Sequence, residues 1–248
     1  MNLFNLHSNP EQLAGYKDML KVPGLSYEYA KHKGKRVPEA EPYIIQDAGA
    51  AYLYARDILK KRRWSEAEPY IMKDPNSAYM YAYTVLKKQR WPEAEPYIMK
   101  DPNSAYQYAY DILKKQRWPA AEPYIMKDPK WAYRYAYGIL EKRRWPEAEP
   151  YIMKDPEWAY MYACYIIELR WPEAEPYIIK ASKWAGWYAA DVIQDRWPEA
   201  EPYIMKAPNS AYWYARAFLK GRWPEAEPYI MKDPEWWKKY RREFGTNQ

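Results

Sequence analysis

Cysteine is nearly missing from this chain of 248 residues. Cys164 stands alone, so no internal disulfide can form, and nothing in the composition points to an oxidising compartment. Histidine is almost as scarce. His7 and His32 both fall in the N-terminal section, and neither makes a metal-binding spacing with the other or with Cys164. Both read as exposed or packing residues, and no metal site or cofactor is expected. No apolar run approaches the roughly 20 residues that span a bilayer. The opening MNLFNLHSNPEQL has neither the basic start nor the apolar core of a signal peptide. The expectation is a soluble, cytoplasmic protein with no membrane partner. The sequence also lacks G-x-S-x-G, a P-loop and G-x-G-x-x-G, and no catalytic residue is expected.

Against these absences stand 29 Tyr, 14 Trp and 23 Pro, with only 3 Phe and 8 Gly. Abundant proline marks disorder in a polar chain. Here aromatic and apolar residues are plentiful, and the prolines recur at regular intervals, so they read as punctuation. The net charge of +6 keeps nucleic acid among the candidate partners without putting it first.

The string RWPEAEPYIMKDP recurs almost intact, with its tryptophan at Trp64, Trp91, Trp118, Trp145, Trp171, Trp197 and Trp223. The first three steps are 27 residues and the last three are 26. Val37 takes the tryptophan's place in an eighth copy upstream, and a weaker relic, YEYAKHKGKR, runs from Tyr27 to Arg36. In the copy that begins at Trp91, Asp101-Pro102 reads as a helix start, because Asp accepts from free first-turn amides and Pro suits the first helical position. The spacing of Ala105, Tyr108, Ala109, Ile112 and Leu113 predicts one apolar face on a helix from about Pro102 to Lys115. Pro92 to Lys100 predicts a short helix that begins late, since Pro96 must fall within or near its first turn. Neither helix can hide its apolar side alone, so neighbouring copies must stack. The prediction is all-α: a right-handed α-α superhelical solenoid of about eight short helix-turn-helix repeats over 36–235. It lies between N-terminal capping helices at 1–35 and a C-terminal cap with a basic tail at 236–248. In the front cap, Asn9 to Gln12 reads as a helix start. In the back cap, the segment Trp236 to Arg242 gives a more charged final helix. Ser65, Ala120, Gly186 and the mixed spacing break the regularity and favour a natural gene over an engineered consensus array.

The motif RWPEAEPYIMKDPEWAYMYA resembles short HEAT-like α-α repeats of bacteriophage and bacterial proteins, over roughly Arg36 to Glu235. The resemblance implies the repeat architecture. A phage origin would imply a host-interaction or anti-defence role in the host cytoplasm, with a host or phage protein as partner.

Positions shared by all copies build the scaffold, and positions that vary carry specificity. Glu93 and Glu95 recur almost everywhere and read as helix-capping charges; an acidic ladder for cations is the weaker alternative. Basic helix ends such as Lys114, Lys115 and Arg117 run into acidic residues in most copies, which argues against a continuous basic stripe. Cys164 occupies a position held by tyrosine in other copies and reads as small packing rather than a nucleophile. The shared aromatics read as packing between copies; the functional reading is a row of rings along a concave face.

Three rows vary along the long helix. The first is Leu53, Met80, Gln107, Arg134, Met161, Trp187 and Trp213. The second is Arg56, Tyr83, Tyr110, Tyr137, Cys164, Ala190 and Arg216. The third is Asp57, Thr84, Asp111, Gly138, Tyr165, Asp191 and Ala217. From these rows, Tyr83, Gln107, Tyr110, Asp111, Arg134, Tyr137, Met161, Tyr165, Trp187 and Trp213 are the candidate binding residues. The function they predict is non-catalytic engagement of a protein or small ligand. The alternatives are a nucleic-acid or nucleotide binder, motivated by aromatics and the tail from Lys238 to Arg242, and an enzyme assembled from His7, Asp18 and His32.

Overall fold

The computed structural model describes residues 18–245, and all regular structure among them is helical. His7 and the helix start expected at Asn9 lie outside the described residues. The chain divides between Ile125 and Met126 into two compact units.

The first unit alternates the long helices Pro23–Lys33, Ala48–Asp57, Pro75–Thr84 and Pro102–Asp111 with the four-residue helices Glu41–Ile44, Glu68–Ile71, Glu95–Ile98 and Glu122–Ile125. The second alternates Pro129–Gly138, Pro156–Tyr162, Ser182–Tyr188, Pro208–Tyr214 and Pro234–Phe244 with Glu149–Ile152, Glu175–Ile178, Glu201–Ile204 and Glu227–Ile230. Within each unit every long helix packs on the next. The all-α repeat of stacked helix pairs is therefore present in both units. The relic at Tyr27 supplies a full long helix of the first stack.

Local chemistry sets these elements. Asp74 and Asp101 cap their long helices, each accepting the amide three residues on at 2.8 Å. Proline follows as the first helical residue. Pro96 sits second in Glu95–Ile98, where a missing N–H is harmless. The short helix is shorter than the span from Pro92 to Lys100, because Trp91 to Ala94 forms a turn before it.

The long helix also ends early, at Asp111 rather than Lys115. The Tyr108 carbonyl accepts from both Ile112 and Leu113, and Lys114 and Lys115 turn into the left-handed region at φ 54 and 61. The same pair of left-handed residues closes every 27-residue copy: Lys60 and Lys61, Lys87 and Lys88, Glu141 and Lys142. The 26-residue copies close differently. Each long helix runs on into a π-helical turn (Ala163–Ile167, Ala189–Ile193, Ala215–Leu219), with one left-handed residue after it: Glu168, Gln194 or Lys220. The lost residue is thus absorbed at the helix end.

Each copy is held by one repeated network. Tyr108 is fully buried. Its hydroxyl accepts from the Trp91 amide at 2.7 Å and donates to Glu95 at 3.2 Å. Arg90 grips the same carboxylate with two bonds, at 2.6 and 3.0 Å. The Tyr108 ring meanwhile lies 5.2 Å from Trp118 of the following copy. The hydroxyl bonds repeat at Tyr81, Tyr162, Tyr188, Tyr214 and Tyr240, always 17 residues after the donating amide. Burial pushes these tyrosines above their ordinary pKa and the glutamate adds to it, while the donated amide pulls the other way; Tyr214 reaches about 12. Glu95 therefore does more than cap a helix: it is the acceptor that joins the short helix to the long one. An Arg–carboxylate fork over a nearly buried glutamate satisfies a charge that would otherwise be costly.

Candidate functional site

The three variable rows lie on the long helices and, in the shortened copies, on the π-helical turns that continue them. Arg134, Tyr110, Tyr137, Tyr165, Trp187 and Trp213 are exposed, whereas Tyr83, Gln107, Asp111 and Met161 are half-buried. Several are already engaged. Lys88 lies over the Tyr83 ring at 4.5 Å, Lys115 over Tyr110 at 4.8 Å, and Lys142 over Tyr137 at 5.2 Å. The second left-handed lysine of the long copies is what folds back onto the tyrosine. Arg134 lies 5.0 Å over Trp131. Asp111 accepts from Tyr79 of the preceding copy at 2.8 Å; Tyr27 and Asp57, and Tyr160 and Asp191, make the same bond at 2.8 and 2.5 Å. The acidic members of the third row thus stitch one copy to the next, which the sequence reading did not foresee. Cys164 is half-buried, and burial, with the Asp191 charge adding to it, raises its thiol to about 11. At neutral pH it is a thiol and a poor nucleophile. His32 lies near the end of Pro23–Lys33. Among the described residues no three His, Cys, Asp or Glu side chains gather to hold a metal, and no helix is long and apolar enough to cross a membrane.

The seams between successive long helices show where these rows become a site. In the second unit, a tyrosine of one copy packs on a tryptophan of the next. Tyr133 lies 5.6 Å from Trp158, Tyr160 lies 5.5 Å from Trp184, and Tyr212 lies 5.6 Å from Trp236. In the seam between Ser182–Tyr188 and Pro208–Tyr214, both partners are gone: Gly186 stands at the tyrosine position and Ser210 at the tryptophan position. Ala217 also replaces the stitching aspartate. A cleft of about 380 Å³ opens there, lined by Trp187, Ala190, Trp213, Tyr214, Ala217 and Phe218 around Gly186 and Ser210.

Trp187 and Trp213, two of the candidate residues, meet at this cleft and are 50% and 51% exposed. Trp213 is steadied by Tyr212 at 5.1 Å, Trp236 at 6.5 Å and the Arg216 guanidinium at 5.3 Å. Trp187 has no aromatic partner among the described residues. The hydroxyl of Tyr214 is taken by Trp197 and Glu201, so Tyr214 offers the cleft only its ring. No charged side chain lines the space.

Gly186 and Ser210 escaped the sequence reading as site residues, although Gly186 was visible as an irregularity. A glycine inside a helix costs about 0.5–1 kcal/mol relative to alanine. Its backbone is right-handed and an added Cβ would meet only ordinary contacts, so neither φ nor space demands it. Both flanking helices also lack the capping aspartate: Ala181 and Ala207 stand in its place, with no side-chain cap. Comparison with known proteins supplies no counterpart: the chain matches no protein-family model, no curated protein and no solved structure.

Proposed function

We propose that the protein is a binding scaffold without catalytic chemistry, engaging a protein or small ligand through the variable rows of its long helices. One observation carries this reading. The shared tryptophans, network tyrosines and alanines are buried, the tyrosines bonded to tryptophan amides, whereas Trp187 and Trp213 stand half in solvent on adjacent copies beside an apolar cleft. Exposed tryptophans around a desolvated pocket are where binding energy concentrates. The resemblance to phage repeats puts a host or phage protein first among macromolecular partners. The nucleic-acid alternative draws less support, because the arginines of the Arg-Trp pairs are forked onto glutamates and many lysines lie over tyrosine rings of their own copy.

Affinity capture from bacterial lysate tests the reading, with the intact chain set against a Trp187→Ala/Trp213→Ala variant and a Tyr110→Ala/Arg134→Ala/Tyr137→Ala variant. The expected result is a partner held by the intact chain and released by at least one variant. Equal capture by all three would refute the proposed face.

A further inference from the structure

Resting on the scaffold reading, we infer that the cleft between Ser182–Tyr188 and Pro208–Tyr214 binds a small, neutral, flat aromatic molecule carrying one hydrogen-bonding group. The shape argument comes from the neighbouring seams. There the same space holds a tyrosine ring against a tryptophan ring, with centroids 5.5 to 5.6 Å apart. Removing both rings at Gly186 and Ser210 leaves a mould for aromatic material, and its volume of about 380 Å³ falls within the range of small-molecule pockets, ~300–1,000 Å³. The shortened copies contribute as well. The helix end at the cleft carries Gln194 in place of the lysine that folds over the second row elsewhere, and that row is Ala190 at the cleft where three of the longer copies carry tyrosine.

The lining sets the ligand's chemistry. Trp187, Trp213, Tyr214 and Phe218 offer ring faces and edges, on which flat aromatics stack offset or edge-on. With no charged group to receive it, an ionised ligand would lose its hydration uncompensated. Two polar side chains line the cleft: Asn209, which is exposed to solvent, and Ser210, which is not. The Ser210 side chain lines the cleft, the residue is only 6% exposed, and its hydroxyl makes no hydrogen bond among the described residues. Its counterpart Ser104 donates to Asp101 at 2.6 Å; here Ala207 has removed the acceptor. A phenol, an indole N–H or a ring nitrogen placed against Ser210 supplies the missing partner.

Titration of the full chain with N-phenyl-1-naphthylamine, a neutral fluorophore, tests the inference. Saturable binding with enhanced, blue-shifted emission is expected, with displacement by indole and 2-naphthol but not by indole-3-acetate at neutral pH. Refilling the seam with Gly186→Tyr/Ser210→Trp should weaken binding at least tenfold while circular dichroism keeps the helical signal and the melting temperature rises. If the refilled chain does not fold, Ala190→Leu, which narrows the cleft from an exposed position, decides the matter with an expected loss of at least threefold. Absence of saturable binding, equal binding by the folded variants, or tighter binding of indole-3-acetate than of indole overturns the inference. Capture of a macromolecular partner is read separately, so a failed cleft and a failed scaffold reading give different results.

Discussion

The seam between Pro156–Tyr162 and Ser182–Tyr188 is closed by Tyr160, Trp184 and Asp191; the next seam has Gly186, Ser210 and Ala217 at the same places. Both seams keep the arginine-glutamate-tyrosine network intact on either side, through Arg170, Glu175 and Tyr188 and through Arg196, Glu201 and Tyr214. The contrast separates two layers of construction. The network holds the short and long helices of each copy together, and the ring pair and aspartate then fasten one copy to the next. A seam can lose its second layer and open while its copies stay folded. The open seam has also given up the aspartate caps at Ala181 and Ala207, so stabilising devices are missing where the exposed tryptophans gather.

Single substitutions and pH act differently on the two layers. Trp184→Ala should open the closed seam at a cost in urea unfolding below the ~3–5 kcal/mol of a fully buried tryptophan, since Trp184 is half-buried, whereas Ser210→Ala in the open seam should cost nothing or stabilise, because it removes an unpaired buried hydroxyl. Equal effects would mean that the seams do not differ as described. Raising the pH should weaken the copies on both sides of either seam, through the network they share. The network tyrosines have folded pKa values above their ordinary 10.0, with Tyr214 at about 12. Their stabilisation is therefore complete below pH 10 and is lost as the pH climbs from 10 towards 12, because the unfolded chain gives up its protons first. Thermal melts across that interval should show a steep falling limb; a flat profile would contradict the buried network. Restoring a cap with Ala207→Asp should add about 1 kcal/mol and bring the open seam's helix start level with its neighbours. A still smaller gain, about 0.5–1 kcal/mol, is expected from Lys220→Gly, since a lysine held at φ 52 strains the helix end.

The stacking of helix pairs was legible because apolar spacing, Asp-Pro starts and the recurring tryptophan all pointed the same way. The helix ends were not. Lys114 and Lys115 look like helix formers, yet both stand in the left-handed region where the Tyr108 carbonyl accepts from Ile112 and Leu113 and the chain turns towards Trp118. The candidate rows were legible as variation, but their division of labour was not. Asp111 and Asp191 look free in sequence, yet each is bound to a tyrosine 31 or 32 residues earlier. The cleft depends on pairing Gly186 with Ser210 of the following copy, a register that only helix packing reveals.

The central claim is that shared residues are used up in holding each copy together, leaving recognition to the unshared ones. The backbone amides of Trp91, Trp145, Trp171, Trp197 and Trp223 test it most directly. They lie outside the helices and donate only to a buried tyrosine hydroxyl at 2.5 to 2.7 Å. Native-state hydrogen exchange should find them protected as strongly as amides in the middle of the long helices. Exchange at the rate of an open loop would show that the tyrosine network does not hold the repeats, and the account would fail with it.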